Sequence, residues 1–375
     1  MALWPWPAIR PGTAAVAAET GPVEAAGLLE LLAERNLLER TPDGAYRHRP
    51  AVRAHGERQA AAEDRVAGCG RAMERVIRAH HDTAVAAART AHPANWRISE
   101  AFRTVPAGPY TDPGQALSAL RDELPNLVQA VLAAEEFGFG DLACALCEAM
   151  WAVQLKDGRH DEVLPALRAG ARIADERSPG TRTAGRMHTF LAMALLAGDR
   201  LPEAEAEARA ALAAERQAGH LRGQATATET LGLVLLTRLD FAAADRMFAE
   251  ADGALDGIGP GDEGAADVPR ARALLQRHRG RARRGLAMRG LAPWAEAEES
   301  LTAALRFFRG TEPYNTARTL TDLAELYLFA GRHADALPLI DEATALLDRE
   351  GARYHLAHLR ALRERCEAGP DPAQD

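Results

Sequence analysis

Residues 231–251 read LGLVLLTRLDFAAADRMFAEA, and the fold turns on them. Leu231, Gly232 and Leu235 recur at helical spacing before a short polar turn; Phe241, Ala244, Phe248 and Ala251 recur at the same spacing after it. Large and small residues alternate across the two segments, as they must where two antiparallel helices approach closely. One such hairpin cannot cover its own apolar faces, so it requires similar units stacked before and after it.

Those units can be found by their second helices. Ala204, Ala244, Ala297 and Ala336 start the pattern, followed by Ala208 and Ala211, Phe248 and Ala251, Leu301 and Ala304, and Ile340 and Ala343. The intervals of 40, 53 and 39 residues exceed the usual ~34 of a tetratricopeptide repeat. Extended helices are therefore expected, with the surplus of the middle interval in residues 257–269. A degenerate hairpin turning at Gly158 comes first and residues 354–366 cap the stack, which gives about five hairpins over 139–367 and a disordered tail over 368–375.

Composition agrees with helices. Of the 375 residues 47% are apolar and only 5% aromatic, with alanine dominant, so almost no strand is expected. A formal charge of -8 argues against coating nucleic acid. Lys156 is the only lysine and stands between Leu155 and Asp157, so no phosphate-cradling Gly-Lys-Ser/Thr step exists. The glycine-rich residues 257–264, GIGPGDEG, carry two acids that would repel phosphate and read as a connector. Neither G-x-S-x-G nor H-E-x-x-H occurs, so no enzyme, metal or cofactor is expected. Cys144 and Cys147 form a lone C-x-x-C at core spacing, with Cys69 and Cys366 scattered, and His355 and His358 lie on one helix face. With no signal peptide or long apolar run, a cytoplasmic protein without membrane contact is expected.

The first residues, LWPWPAIRPG, carry Pro5, Pro7 and Pro11, which oppose a helix, and Trp4 and Trp6, which read as anchors. Leu28, Leu31 and Leu32 then mark a helix that turns at Asn36, with residues about 30–40 as a second helix and Asp43-Gly44 as the tip of a β-wing. Residues 1–58 thus have the outline of a winged-helix-like domain, followed by a helical linker region over 59–138 that restarts at Asp112-Pro113.

The run LLELLAERNLLERTPDGAYRHRPAVRAHGERQA resembles the winged-helix domain that follows the nucleotide-binding module in NB-ARC ATPases of the STAND class, especially actinobacterial regulators of antibiotic production. DPGQALSALRDELPNLVQAVLAA, with its ELPNL core at 123–127, is similar to their linker into the tetratricopeptide domain. The resemblance covers only the half downstream of the ATPase. It implies a sensor and interaction role in transcriptional control of secondary metabolism. In that family the wing ends in a His-Asp pair that senses nucleotide phosphate; the matching positions here are His48, Arg49 and Pro50, and no nucleotide is assigned. Glu30, Glu34 and Glu39 offset Arg35 and Arg40, so direct nucleic-acid binding is not expected.

Against the acidic chain, residues 270–289, RARALLQRHRGRARRGLAMR, hold eight arginines and no acid. Arg277, Arg281 and Arg284 share a helix face, and with Arg270 and His278 they form the candidate site for a protein or peptide partner, acidic by complementarity. The competing reading pairs these arginines with acids of the second helices, Glu203 to Glu207 or Glu296, Glu298 and Glu299. The alternative function is a free-standing receptor for a small molecule or signalling peptide.

Overall fold

The computed structural model describes residues 1–63 and 65–368, so the expected tail lies outside the described residues from 369 onward. The chain forms two compact units. The first comprises Met1–Pro93, Ser99–Val153 and Asp161–Arg177, and the second Ala94–Ile98, Gln154–His160 and the chain from Ser178.

The first unit opens with α1 (Pro11–Ala18) and α2 (Pro22–Glu34), then β1 (Leu38–Arg40) and β2 (Tyr46–His48), the two strands among the described residues. Two expectations are corrected here. Pro11 starts α1 instead of preventing it, because its missing N–H falls where a helix has no acceptor to offer. Residues 38–40 are strand, not helix, because Asn36 adopts φ +60° and ends the helical path. The strands pair antiparallel with Leu38 opposite His48, and Ile9 bridges to Tyr46 beside them.

α3 (Pro50–Glu63), α4 (Arg65–Ala91), α5 (Ala101–Thr104), α6 (Pro113–Phe137) and α7 (Gly140–Ala149) follow. Asp112 caps α6 by accepting the Gln115 N–H at 2.8 Å. The ELPNL motif acts as a clasp within this unit. The Asn126 side chain accepts from the Ala8 N–H at 3.1 Å and donates to its carbonyl at 2.9 Å, while Glu123 pairs with Arg10. Arg10 also reaches Asp43 at 3.0 Å, tying the start of the chain to the β-turn. Trp6 is buried, and Trp4 donates to Gln129.

α8 (Trp151–Asp157) and α9 (His160–Arg177) are joined through Gly158. The second unit is then built of four helical hairpins: α10 (Arg182–Ala197) with α11 (Leu201–Gln217), α12 (Leu221–Thr237) with α13 (Phe241–Leu255), α14 (Val268–Met288) with α15 (Trp294–Phe308), and α16 (Pro313–Phe329) with α17 (His333–Arg349). α18 (Leu356–Ala368) packs on α16 and α17 as the last layer. The fold is all-α and tetratricopeptide-like.

The alanines at 204, 244, 297 and 336 are fully buried, as are their partners Ala208, Phe248, Leu301 and Ala343. The first helices supply the complementary glycines. A Cβ on Gly232 would lie 2.5 Å from the Phe248 ring, and one on Gly280 2.5 Å from Leu301 Cγ. Gly232→Ala should therefore cost roughly 2 kcal/mol through overpacking, measured as a lower urea midpoint; an unchanged midpoint would mean that the helices have room to separate.

Candidate interaction groove

Within the hairpin unit each second helix packs on the next first helix, and successive first helices also touch: α10 with α12, α12 with α14, α14 with α16, and α16 with α18. Stacking of this kind places the first helices along the inner, concave side. Their polar side chains decide what the groove can hold.

α14 delivers its arginines to two faces. Arg272, Arg279 and Arg283 turn back to α13, where Arg272 meets Asp252 at 3.3 Å and Asp256, and Arg279 and Arg283 meet Asp245 at 2.9 and 3.6 Å. The five expected site residues lie on the other side. Arg270 pairs with Glu312 at 2.8 Å and His278 with Glu229 at 3.2 Å. Arg277 donates to Asp322 at 2.5 Å, Arg281 lies 3.6 Å from the same carboxylate, and Arg284 pairs with Glu325.

The pairing acids are therefore not those expected from the second helices. Glu203 is taken by Arg200, Glu205 by Arg209 and Arg238, and Glu298 by Arg332. The partners of the groove-side arginines stand mainly on α16, because successive first helices are close enough for their charges to meet.

On α16, Tyr314, Arg318, Asp322 and Glu325 recur at helical spacing and share a stripe. Arg318 was not singled out in the sequence because it stands alone, 29 residues beyond the arginine-rich run. Among the described residues it has no hydrogen bond or ion pair, yet its charge acts on Asp322, Tyr314 and His355. Burial by itself would raise the Asp322 carboxyl; Arg277, Arg281, Arg318 and Arg284 together hold it well below the usual carboxylate range. Burial also lowers Arg281 to about 10, which leaves it charged at neutral pH. Four guanidiniums thus face the carboxylates of Asp322 and Glu325, and the excess is positive.

Arg277 and Asp322 are each 7% exposed, so removing one strands the other's charge. Arg277→Ala should cost roughly 3 kcal/mol, whereas Arg281→Ala, whose side chain is 29% exposed, should cost under about 1 kcal/mol. Urea denaturation of the two variants checks the contrast, and equal losses would contradict it.

Beyond Arg318 lies a buried polar cluster in the same unit. Lys156 is wholly buried, 2.7 Å from Glu350 and 5.4 Å from the Tyr314 ring. Tyr314 Oη donates to the Leu155 carbonyl at 2.9 Å and lies 2.8 Å from His355 Nε2. Burial, aided by the Arg318 charge, pushes His355 from 6.5 down to about 3. The folded chain keeps this imidazole neutral while the unfolded chain protonates it, so the stability it supports is complete above pH 6.5 and is lost progressively as pH falls towards 3. The denaturation midpoint should drop between pH 7 and pH 4, and His355→Gln should flatten that slope; an identical slope in the variant would exclude His355. His358, one turn on, is half exposed and binds Glu325 at 2.5 Å.

At the opposite end of the groove, Arg222 donates to Asp267 at 2.8 and 2.6 Å. The connector read as plain is therefore packed: Asp267 holds Arg222, Glu263 pairs with Arg182, and a Cβ on Gly264 would meet Arg222. An open depression of about 630 Å³ lies beside them, lined by Thr181, Arg182, His220, Asp262 and Glu263.

Three further features belong to the first unit. A cavity of about 450 Å³ is lined by Arg10, His80, Tyr110 and Glu123 with Val16, Leu120 and Leu127. Cys144 and Cys147 are buried, Cys144 pushed up to about 12 by burial, and Cys147 donates to the Ala166 carbonyl at 3.4 Å, which suits packing and not thiolate chemistry. His48 pairs with Leu38 in the β-ladder and is lowered by burial to about 4. No helix of the described residues is long and apolar enough to cross a membrane.

Residues 278–349 match the family described as Tetratricopeptide repeat. No curated protein matches the chain. Among solved structures it is similar to the crystal structure of BtubC (BKLC) from P. vanneervenii, with a TM-score of 0.42 and 18% identity over 68% of this chain and 96% of that one.

Proposed function

We propose that the concave groove binds a protein or peptide partner through an acidic segment, and that the chain serves as the sensor and interaction half of a regulator resembling the STAND class, in transcriptional control of secondary metabolism. In this reading residues 1–58 are a winged-helix-like relay, 59–138 the linker and 139–367 the recognition array. No nucleotide or catalytic group enters it.

The observation that carries the reading is Arg318. Its guanidinium has no carboxylate of its own among the described residues and stands where positive charge is in excess, so an incoming carboxylate would gain a charge-assisted bond without breaking an existing one. Arg277, the residue first chosen from the sequence, is a supporting member here, because its charge is already spent on Asp322.

Affinity capture from native lysate with mass spectrometry tests the reading, using the unmodified chain beside an Arg281→Ala/Arg318→Glu variant. The expected result is a protein held by the first and lost by the second, with unchanged circular dichroism; retention by both removes the arginines from recognition. A receptor for a small molecule or signalling peptide is the second reading, favoured by the partly apolar cavity bounded by Arg10, His80, Tyr110 and Glu123. It takes over if the capture yields a small molecule or short peptide that Arg318→Glu does not affect.

A further inference from the structure

Ala94–Ile98 clusters with the hairpin unit, although the residues flanking it on both sides cluster with the other. From Asn95 to Ile98 the segment is neither helix nor strand, and it is no part of the repeated hairpins. What holds it is unusual for a packing residue. The guanidiniums of Arg186 on α10 and Arg222 on α12 each lie 4.8 Å from the Trp96 ring, and the His220 ring stacks at 5.4 Å with a 31° tilt. Arg186 Nη2 also donates to the Trp96 carbonyl at 2.7 Å, so the main chain is read as well as the side chain.

The groups around Trp96 are fixed from behind. Asp267 orients Arg222, and Glu215 holds His220 at 2.6 Å. Glu215 comes from α11 and reaches between α10 and α12 only because residues 185 and 223 are glycines; a Cβ on either would fall within 2.5 Å of its side chain. Two adjacent first helices therefore present preset cations to one aromatic ring, an arrangement that favours the ring's π-face over an aliphatic side chain. Trp96 itself remains only half buried.

We propose that the α10/α12 end of the groove is a recognition site for a non-helical peptide segment bearing a tryptophan, and that residues 94–98 occupy it as a tethered competitor. A partner must displace them. The inference rests on the groove being the binding surface, and it adds what that surface reads at this end and how access is controlled. A short tether supplies an effective concentration on the order of millimolar. Where the segment's own Kd as a free peptide is below ~0.1 mM, it weakens any competing peptide by at least about tenfold.

The test uses the full chain and a fluorescently labelled peptide of residues 93–99, PANWRIS, in polarisation titrations. Trp96→Ala should bind the peptide at least about tenfold more tightly than the unmodified chain does. Trp96→Ala/Arg222→Ala should lose that binding, as should the same peptide carrying Trp96→Ala. If Trp96→Ala fails to fold by circular dichroism, Trp96→Leu takes its place with the same expectation. Equal binding by the folded variant and the unmodified chain overturns the proposal, and so does no binding by the folded variant. If partner capture still depends on Arg318 after either result, only the tethered competitor is lost; if that dependence is also absent, the groove reading falls with it.

Discussion

Each first helix must lie close to its own second helix, and the rest of the hairpin unit depends on that distance. Gly232 accepts the ring of Phe248, and Gly280 accepts Leu301, because neither carries a Cβ that would push the partner away. With the hairpins thin, successive first helices come into contact with one another as well. A charged residue on one first helix then finds its counterpart on the next. The small residues of the core thereby set the electrostatics of the groove.

The consequence is a row of charges that cross from hairpin to hairpin: His278 to Glu229, Arg277 to Asp322, Arg284 to Glu325. Buried pairs of this kind contribute little net stability but are costly to break, so they fix the relative placement of neighbouring repeats more than they strengthen them. Arg281 shares Asp322 with Arg277, at 3.6 Å, and Arg318 lies on the same network with no ion pair among the described residues, so not every cation here is spent on joining the repeats. At the other end the same economy holds Arg222 against Asp267 and leaves its flat face to Trp96.

In the first unit, polar side chains of a short motif hold the start of the chain. Glu123 and Asn126 bind Arg10 and the Ala8 backbone, and they do so from within α6, where Pro125 costs one intrahelical bond. The ELPNL motif thus has a local mechanical role in this unit.

The repeating apolar pattern was readable in the sequence. Ala204, Ala244, Ala297 and Ala336 can be aligned without coordinates because burial at fixed spacing is a one-dimensional property of a helix, and each is buried where the pattern put it. The β-turn at Asp43-Gly44 and the helix start at Asp112 were readable for the same reason, since their chemistry is local. The partners of the arginines were not. Whether Arg277 meets Glu299 or Asp322 depends on which helices adjoin in the stack, and Asp322 is 45 residues away. Arg318 gave no signal, because what sets it apart is the lack of an ion pair among the described residues, which the sequence does not show. Trp96 gave no signal either, since only the folded chain brings it between Arg186 and Arg222. Helical periodicity is written along the chain, whereas the pairing of charges and the filling of a groove arise from residues distant in sequence, and tertiary structure alone decides them.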